Sequence, residues 1–397
     1  MKVVQINPVC YASTGKIAVN ISKILSKQGI ENYIYYTSGS TEYEHAIKYA
    51  NDGCIRLAAL KSRILGNYGF NSVSMTERLI AELKKIQPDV IHLHNLHGHN
   101  VNLDLLFRYL KSIEIKIIWT FHDCWAFTAY CPYFTLEKCD KWIEGCRHCP
   151  QKRAFSWFFD KSPELYKKKK ELLTGFQDMA IVTPSKWLAD LAEQSFFREY
   201  PIEVIPNGID LSIYKPTLGS FRERYGLTDK YIILGIAFDW GRRKGLDVFI
   251  GLAGSLDEKF QIVLVGTDGN VDKQLPDNVI SIHRTQSQTE LAEIYTAADV
   301  FVNPTREENY PTVNMEALAC GTPILTFQTG GSPEILDQTC GSVVECDDVG
   351  ALEKEIVRIC TFKPYSEEAC LKRAETFDMI GRFEEYVKLY MKENDIR

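Results

Sequence analysis

The feature that most constrains this chain is the alternation of short apolar runs with helical segments along its whole length. The helical segments, such as 18–26 and 75–85, show an apolar periodicity of 3.6 residues. Strands and helices in alternation form βαβ units, whose strands pair in parallel. The predicted strands are 2–7, 33–37, 89–93, 115–121, 180–183, 203–205, 231–236, 261–265, 279–283, 300–303, 323–326 and 342–344. Such apolar strands suit sheets that are buried on both faces.

Two sets of strands of about equal size predict two doubly wound domains, which suits a length of 397 residues. Turn-forming residues at 206–208 mark the boundary. We therefore predict an N-terminal domain over 1–205 and a C-terminal domain over 206–376. The last helical stretch, about 367–392, is rich in aromatic residues, and we expect the chain from about 377 to 397 to pack back onto the first domain.

Composition and charge exclude several classes of protein. The net charge of −6 argues against a dedicated nucleic-acid binder. No apolar run approaches the ~20 residues that a membrane-spanning helix needs. The N-terminus opens directly into a strand-like run without the pattern of a signal peptide. We therefore expect a cytoplasmic globular protein with no nucleic-acid partner.

Two glutamates follow the predicted strand 300–303, and ligands of open parallel sheets bind beyond such strand ends. Glu308 lies in the loop, and Glu316 lies about a turn and a half inside a helix that Pro311 is expected to open. The helix N-terminus suits a phosphate, and carboxylates accept strong hydrogen bonds from sugar hydroxyls. Either glutamate alone is better explained as an acidic residue that stabilises the helix dipole.

A basic turn follows the predicted strand 231–236. It contains Arg242, Arg243 and Lys244, followed by a glycine. Such a cluster can neutralise a diphosphate, and a solvated basic turn explains the same residues.

Histidines follow two predicted strands of the first half. His122 comes after 115–121, where an imidazole could hydrogen-bond a sugar hydroxyl or simply hold a backbone carbonyl. A second group consists of His92, His94, His97 and His99. We interpret this second group as structural or as facing a substrate, in preference to a catalytic metal site.

Four cysteines lie close together in the sequence: Cys131, Cys139, Cys146 and Cys149. Their spacing ends in Cys-x2-Cys, and four thiolates can close tetrahedrally around a structural zinc ion. Zinc and unmetallated thiols both fit this pattern. A catalytic metal does not, because four cysteines leave no open position.

The segment 152–175 is basic and contains the aromatic residues Phe155, Trp157, Phe158 and Phe159. Basic residues with aromatic neighbours suit the surface of an anionic membrane. A solvated basic helix above a packed aromatic cluster explains the same residues, and we favour this second interpretation.

The string from Glu308 to Glu316 resembles the Glu-x7-Glu motif of glycosyltransferase family 4, whose members are retaining enzymes of the GT-B fold. The segments 317–323 and 329–334 match the family's continuation. The resemblance implies that Glu308 contacts the hydroxyls of the donor sugar and that Glu316 contacts the ribose of the nucleotide.

The same resemblance assigns roles to residues outside this string. Lys244 matches the diphosphate-binding lysine, and His122 matches the active-site histidine near the reacting centre. Gly15, in the loop after the first strand, matches part of a glycine-rich loop near the donor phosphates. The cysteine-rich stretch is similar to one in a sub-branch often found in exopolysaccharide gene sets.

The chain departs from the family pattern at two places. Phe238 stands where many members carry the arginine partner of the lysine, so Arg242 or Arg243 is expected to take that role. Residues 309–311 stand where many members have Gly-Phe-Gly, and Pro311 has no N–H. The backbone amides expected to face the donor are those of Asn309, Tyr310 and Thr312.

The resemblance implies two Rossmann-like domains that face each other across a cleft, with the acceptor on the first and the donor on the second. It implies transfer of a hexose, with retention, from a UDP- or GDP-sugar to a glycan or lipid-linked acceptor. The expected setting is the synthesis of a cell-surface polysaccharide, either capsule or exopolysaccharide, without a catalytic metal. The alternatives are a nucleotide-sugar epimerase of the same fold and a non-catalytic sugar-binding protein.

Overall fold

The computed structural model describes residues 1–392, and the chain forms two compact units. The first unit comprises Met1–Pro206 together with the segment that begins at Ile380, and the second comprises Asn207–Met379. Each unit contains one sheet whose neighbouring strands all pair in parallel. This confirms the predicted α/β class with two Rossmann-like, doubly wound units.

The first unit is built on seven strands. They are β1 (Lys2–Ile6), β2 (Glu31–Tyr36), β3 (Ala46–Lys48), β4 (Val90–Leu93), β5 (Lys116–Thr120), β6 (Met179–Thr183) and β7 (Ile202–Val204). Their order in the sheet is β3-β2-β1-β4-β5-β6-β7, so the direction of winding reverses between β1 and β4. The helices are α1 (Ala12–Lys27), α2 (Asp52–Leu65), α3 (Val73–Ile86), α4 (Leu103–Lys111), α5 (Lys152–Phe155), α6 (Ser162–Leu173) and α7 (Lys186–Gln194).

The second unit repeats this plan with six strands. They are β8 (Tyr231–Ile236), β9 (Phe260–Val265), β10 (Val279–Ile282), β11 (Val300–Asn303), β12 (Ile324–Phe327) and β13 (Gly341–Val344). Their order is β10-β9-β8-β11-β12-β13, with the reversal between β8 and β11. The helices are α8 (Phe221–Arg224), α9 (Leu246–Ser255), α10 (Gly269–Asp272), α11 (Gln288–Ala297), α12 (Thr312–Ala319), α13 (Val349–Phe362) and α14 (Glu367–Glu375).

Apolar side chains explain why these elements pack as layers. Val4 and Ile6 of β1 are fully buried, because a parallel sheet is covered by helices on both faces. In α1 the buried residues include Ile17, Ile21 and Leu25, which recur every four positions and so lie on one face of the helix. Each predicted strand overlaps an observed one. The additional strand β3 has only three residues, too few to show an alternation.

The last predicted helical stretch, 367–392, is wrong as a single element. The structure has two helices, α14 and α15 (Met379–Met391), separated by a short break. At this break Ile209 donates its N–H to the carbonyl of Phe377 and accepts a hydrogen bond from the N–H of Met379. A side chain at Gly208 would place its Cβ 2.5 Å from the Cα of Met379, so the close approach requires glycine. No helix within residues 1–392 is both long and apolar enough to cross a membrane.

Candidate active site

Polar residues of the first unit gather at the carboxyl ends of the strands around the point where its sheet reverses. We call Gln5, His92, His94 and His122 the histidine cluster. His94 follows β4 directly, His122 follows β5 by one intervening residue, and Gln5 lies in β1. Open parallel sheets bind ligands at such a reversal, beyond the carboxyl ends of the strands.

A chain of hydrogen bonds fixes the donor and acceptor roles in this cluster. The Nε2 of Gln5 donates to the carbonyl oxygen of Ala18 at 3.0 Å, so its Oε1 is the atom that faces the Nε2 of His94, 3.0 Å away. Because that oxygen only accepts, His94 carries its proton on Nε2. The Nδ1 of His94 then accepts a hydrogen bond from the Nε2 of His122 at 3.1 Å. Gln5 therefore sets the tautomers of both histidines.

The two linked histidines are neutral at pH 7. Burial, followed by the neighbouring histidines, lowers the pKa of His94 well below its usual range. The edge of His122 keeps some contact with solvent, yet burial of the ring lowers its pKa to about 4 against the opposing effect of Asp123. A neutral imidazole donates one hydrogen bond and accepts one. Since the Nε2 of His122 donates to His94, its Nδ1 is the acceptor.

A carboxylate hydrogen-bonded to a further histidine borders this neutral cluster. The carboxylate of Asp123 lies 2.8 Å from the Nε2 of His97 and accepts a hydrogen bond from the backbone N–H of Trp125 at 2.9 Å. Burial alone would raise the pKa of Asp123, but His97, the Trp125 amide and His122 together hold it below the usual value. The carboxylate therefore stays ionised beside His122.

His92 has a structural role in this arrangement. Its ring lies between the hydroxyl of Tyr390, 2.6 Å from Nδ1, and that of Thr120, 2.8 Å from Nε2. Tyr390 belongs to α15, so His92 holds the C-terminal helix against the first sheet. Among the residues that the structure describes, no group of three or more His, Cys, Asp or Glu side chains is arranged to hold a metal ion.

Charged residues of the second unit gather beyond β8 and β11, where its sheet reverses. We call Lys244, Glu308 and Glu316 the carboxylate cluster. The Nζ of Lys244 lies 2.5 Å from the Oε2 of Glu308, and the Oε1 of Glu308 accepts a hydrogen bond from the backbone N–H of Asn309 at 3.1 Å. The structure therefore brings together two residues that are 64 positions apart in the sequence.

Two tyrosines hold the second carboxylate. The hydroxyl of Tyr295 donates to the Oε2 of Glu316 at 3.0 Å, and Tyr214 also hydrogen-bonds this side chain. Burial, followed by the charge of Glu316, raises the pKa of Tyr295 well above its usual range. Tyr295 therefore remains a hydrogen-bond donor, which fixes the orientation of Glu316 within α12.

Arg306 braces the basic turn. Arg306 is buried. Its guanidinium donates hydrogen bonds to both carboxylate oxygens of Asp247, at 2.7 and 2.9 Å, and to the carboxylate of Asp347 at 2.6 Å. It also donates to the carbonyl oxygen of Arg242 at 2.5 Å. Arg243 donates from Nη1 to the carbonyl oxygen of Glu307 at 3.3 Å. The side chain of Arg242 is exposed, so it is the better placed of the two arginines to meet an anion.

The second motif segment supports the loop that carries Glu308. Gly330 has a φ of +56°, and a Cβ there would lie only 1.8 Å from the carbonyl oxygen of Glu308. The backbone N–H of Gly331 donates to the carbonyl oxygen of Asn309 at 2.8 Å. The glycine at position 330 therefore lets one backbone segment pack directly on the other.

Two details of this loop differ from the predictions. Pro311 precedes α12 as its N-cap and does not open the helix. The backbone N–H of Asn309 was expected to face a ligand, but it donates to its neighbour Glu308. The amide of Thr312 lies at the first position of the helix, as expected for a group that can meet a ligand.

Gly15 does not lie in a loop, because α1 begins at Ala12. It is buried in the first turn of that helix, where a Cβ would lie 2.6 Å from the backbone of Cys10. The left-handed residue at this place is Ala12, with a φ of +56°. Glycine at position 15 is therefore needed for the close approach of the preceding loop, and a phosphate contact is not required to explain it.

The four clustered cysteines line one small cavity of the first unit. Burial raises the pKa of Cys131 to about 12 and that of Cys146 to about 11. All four are free cysteines, and the described residues contain no arrangement of three or more ligands suited to a metal ion. The zinc site thus stays a prediction, which metal analysis of protein purified without added zinc tests.

The favoured interpretation of 152–175 is wrong in two respects. Lys169 is fully buried, and its Nζ donates to the carbonyl oxygens of Trp125 and Thr128 at 2.6 and 2.9 Å. Burial lowers the pKa of Lys169 to about 7. The three aromatic residues 157–159 are exposed, so the packed aromatic cluster expected beneath the helix does not include them.

Comparison with known proteins decides the family. The model of Glycosyltransferase Family 4 matches residues 14–213, and that of Glycosyl transferases group 1 matches residues 230–361. The chain belongs to glycosyltransferase family 4. His122 lies within the first matched range of this family 4 enzyme, and the whole carboxylate cluster lies within the second.

Individual proteins resemble this family 4 glycosyltransferase in sequence or in fold. A putative colanic acid biosynthesis glycosyl transferase, WcaC of Escherichia coli K12, is 23% identical over 94% of this chain and 95% of its own length. Sucrose-phosphate synthase from Thermosynechococcus elongatus superposes with a TM-score of 0.72 at 16% identity, covering 98% of both chains. HepE of Anabaena in complex with UDP-glucose superposes with a TM-score of 0.69 at 12% identity, covering 98% of this chain and 99% of its own.

Several residues that support the site of this family 4 glycosyltransferase were not predicted from the sequence. Gln5, Tyr214, Tyr295 and Arg306 act on the predicted residues through contacts that are distant in sequence. One signal was available: Gln5 is a polar residue between the apolar residues Val4 and Ile6 of a strand, and a buried polar side chain needs a partner.

Proposed function

We propose that this protein is a retaining hexosyltransferase that transfers a sugar from a UDP- or GDP-sugar to a glycan or lipid-linked acceptor. The observation that carries the proposal is the contact of Lys244 with Glu308, just ahead of the helix α12 that carries Glu316, at the reversal of the second sheet. The structurally similar protein HepE has been solved in complex with UDP-glucose. The name of WcaC places that relative in colanic acid synthesis, and we propose a cell-surface polysaccharide pathway for this protein also.

Lys244 is assigned to the diphosphate of the donor. Its positive charge is balanced by the carboxylate of Glu308, 2.5 Å from the Nζ. A diphosphate that pairs with Lys244 replaces Glu308 as its partner. The carboxylate oxygen that Lys244 leaves can then accept a hydrogen bond from a sugar hydroxyl. Arg242, with its exposed side chain, supplies the second positive charge. These groups stabilise the leaving diphosphate, so we expect no catalytic metal.

Glu316 is assigned to the ribose of the nucleotide. A carboxylate with two oxygens can accept from both hydroxyls of a ribose diol. Tyr295 fixes its orientation before the nucleotide binds, since it donates to one oxygen at 3.0 Å. Such preorganisation reduces the ordering cost of binding.

His122 is assigned to the transferred sugar. Its Nδ1 is the atom of the neutral ring that accepts a hydrogen bond, so a sugar hydroxyl can donate to it.

In transfer with retention, the hydroxyl oxygen of the acceptor substrate bonds to the anomeric carbon on the face from which the diphosphate leaves. The proton of the acceptor hydroxyl passes to an oxygen of the departing diphosphate. Because nucleotide sugars are made in the cytoplasm, we place the protein there.

A panel of nucleotide sugars, each offered with free-sugar and lipid-linked acceptors, tests this proposal. Nucleotide release that depends on the acceptor is the expected result. An altered donor sugar without acceptor would instead identify an epimerase, and saturable binding without product would identify a sugar-binding protein.

A further inference from the structure

The first unit exposes an apolar surface that none of its described residues covers. On α2 the exposed large apolar side chains are Leu57, Leu60, Ile64 and Leu65. Three of them, Leu57, Leu60 and Ile64, are spaced at intervals of three and four residues and therefore lie on one face of the helix. An amphipathic helix normally buries its apolar face, whereas these side chains face outward.

Consecutive aromatic residues extend this apolar surface. Trp157, Phe158 and Phe159 follow α5, and each exposes between 51% and 63% of its surface. The backbone N–H of Trp157 donates to the carbonyl oxygen of Arg63 at 2.8 Å. A Cβ on Gly66 would lie 3.4 Å from the Cβ of Phe159. The aromatic segment therefore adjoins the C-terminal end of α2, and we call the two together the apolar face.

Positive charges surround the apolar face in a chain whose net charge is negative. The basic residues within α2 are Arg56, Lys61 and Arg63, against a single acidic residue. Those beside the aromatic segment are Lys152, Arg153 and Lys161, again against one acidic residue. The Nζ of Lys161 lies 5.8 Å from the centroid of the Phe159 ring. Apolar and basic side chains are thus mixed on one surface.

We propose that the apolar face binds the surface of a bilayer that contains anionic phospholipid. Aromatic and leucine side chains enter the boundary between head groups and acyl chains, and lysine and arginine meet the lipid phosphates. A protein partner with an acidic, apolar surface would meet the same side chains, but the mixture of exposed tryptophan, phenylalanine and basic residues is that of interfacial membrane segments. The surface would hold the enzyme where a lipid-linked acceptor resides, although the proposal does not depend on that acceptor.

Sedimentation with vesicles tests the proposal on the full chain. Vesicles of phosphatidylcholine alone are compared with vesicles in which part of that lipid is replaced by phosphatidylglycerol. We expect binding to the anionic vesicles only, and we expect added salt to weaken it. The double variant Trp157→Ser/Phe158→Ser should weaken binding about tenfold. The double variant Lys61→Glu/Arg153→Glu should weaken it at least about fivefold for each side chain changed.

The control is Phe362→Ser, since Phe362 is an exposed phenylalanine of the second unit. Equal binding to neutral vesicles, no binding to either kind, or an equal loss in Phe362→Ser would overturn the proposal. So would dimerisation that Trp157→Ser/Phe158→Ser abolishes, because the face would then be covered by a second copy. The assay contains no donor or acceptor, so a negative result leaves the proposed transferase activity standing.

Discussion

The histidine cluster and the carboxylate cluster occupy equivalent places in the two units but differ in charge. Both lie at or beyond the carboxyl ends of the strands around the point where the strand order of a sheet reverses. In the first, burial lowers the pKa of His122 to about 4 and keeps the rings neutral. In the second, Lys244 and Glu308 form an ion pair whose side chains keep 20% and 14% of their surface exposed.

The difference shows that the same topological position of one fold can bind two kinds of ligand group, neutral hydroxyls or a charged diphosphate. A neutral network specifies the direction of each hydrogen bond, which suits the hydroxyls of a sugar. An ion pair that retains access to solvent can exchange one partner for an incoming anion, which suits a diphosphate. The two clusters should therefore respond differently to mutation, pH and ligand.

Removing the charge of Glu308 should have the largest effect. We expect Glu308→Gln to reduce kcat by about 10²–10³, because the amide no longer pairs with Lys244 or accepts as strongly from the sugar. Steady-state nucleotide release measures the effect. Glu345→Gln, which changes an exposed glutamate of the same unit, is the matched control. Unchanged turnover in Glu308→Gln would remove this residue from the site.

Acid should destabilise the protein through the histidine cluster. Unfolded histidines bind protons near pH 6.5, whereas His122 does so near pH 4. The unfolded state therefore binds more protons below pH 6.5, and the free energy of unfolding falls as the pH decreases. Allowing for the partial exposure of His122, we expect a loss of about 1–2 kcal/mol from this residue between pH 7 and pH 5. Urea unfolding at the two pH values measures it.

The control for the acid effect is His122→Asn, which lacks an imidazole. If its free energy of unfolding decreases between pH 7 and pH 5 by as much as that of the unaltered protein, His122 is not held neutral. The fully buried His92 and His94, whose pKa values are also lowered, should still contribute to the remaining decrease.

Gln5→Leu tests whether hydrogen-bond direction matters in the neutral cluster. We expect kcat to fall about tenfold, because a leucine at position 5 no longer fixes the tautomers of His94 and His122. The affinity for nucleotide should be unchanged, because the substitution alters no residue of the second unit. Nitrogen chemical shifts of labelled histidine report the tautomers directly. A purely structural role of Gln5 would leave those shifts as they are.

Tyr295→Phe should have the smallest effect. The variant keeps the ring but loses the hydrogen bond to Glu316 at 3.0 Å. We expect the affinity for nucleotide to fall about fivefold, which corresponds to a hydrogen bond of about 1 kcal/mol. Calorimetric titration measures this change. An unaltered affinity would show that Glu316 is oriented without Tyr295.

The sequence predicted the fold well because apolar alternation is a local property of the chain. Strand runs such as 231–236 and 300–303 coincide with observed strands for that reason. Glu308 and Lys244 were both chosen from local motifs, but their contact was not predicted, because it depends on the pairing of β8 with β11.

Properties that depend on three-dimensional surroundings could not be predicted. The sequence places Lys169 and Lys168 side by side, and only packing determines that the first is fully buried. The same holds for Trp157 and Phe158, which the favoured interpretation placed in a packed aromatic cluster although both are exposed. Gly15 was assigned to a loop because the start of α1 has no strong sequence signal, and no side chain caps that helix.

The measurement that tests the central claim most directly is calorimetric titration of UDP and GDP into Lys244→Met and His122→Ala. If the charged cluster binds the diphosphate and the neutral cluster acts on the sugar, Lys244→Met should lose most of the affinity that the unaltered protein has for its nucleotide. His122→Ala should retain that affinity and lose turnover. The opposite pattern, with binding lost in His122→Ala and kept in Lys244→Met, would contradict the division of roles between the two clusters.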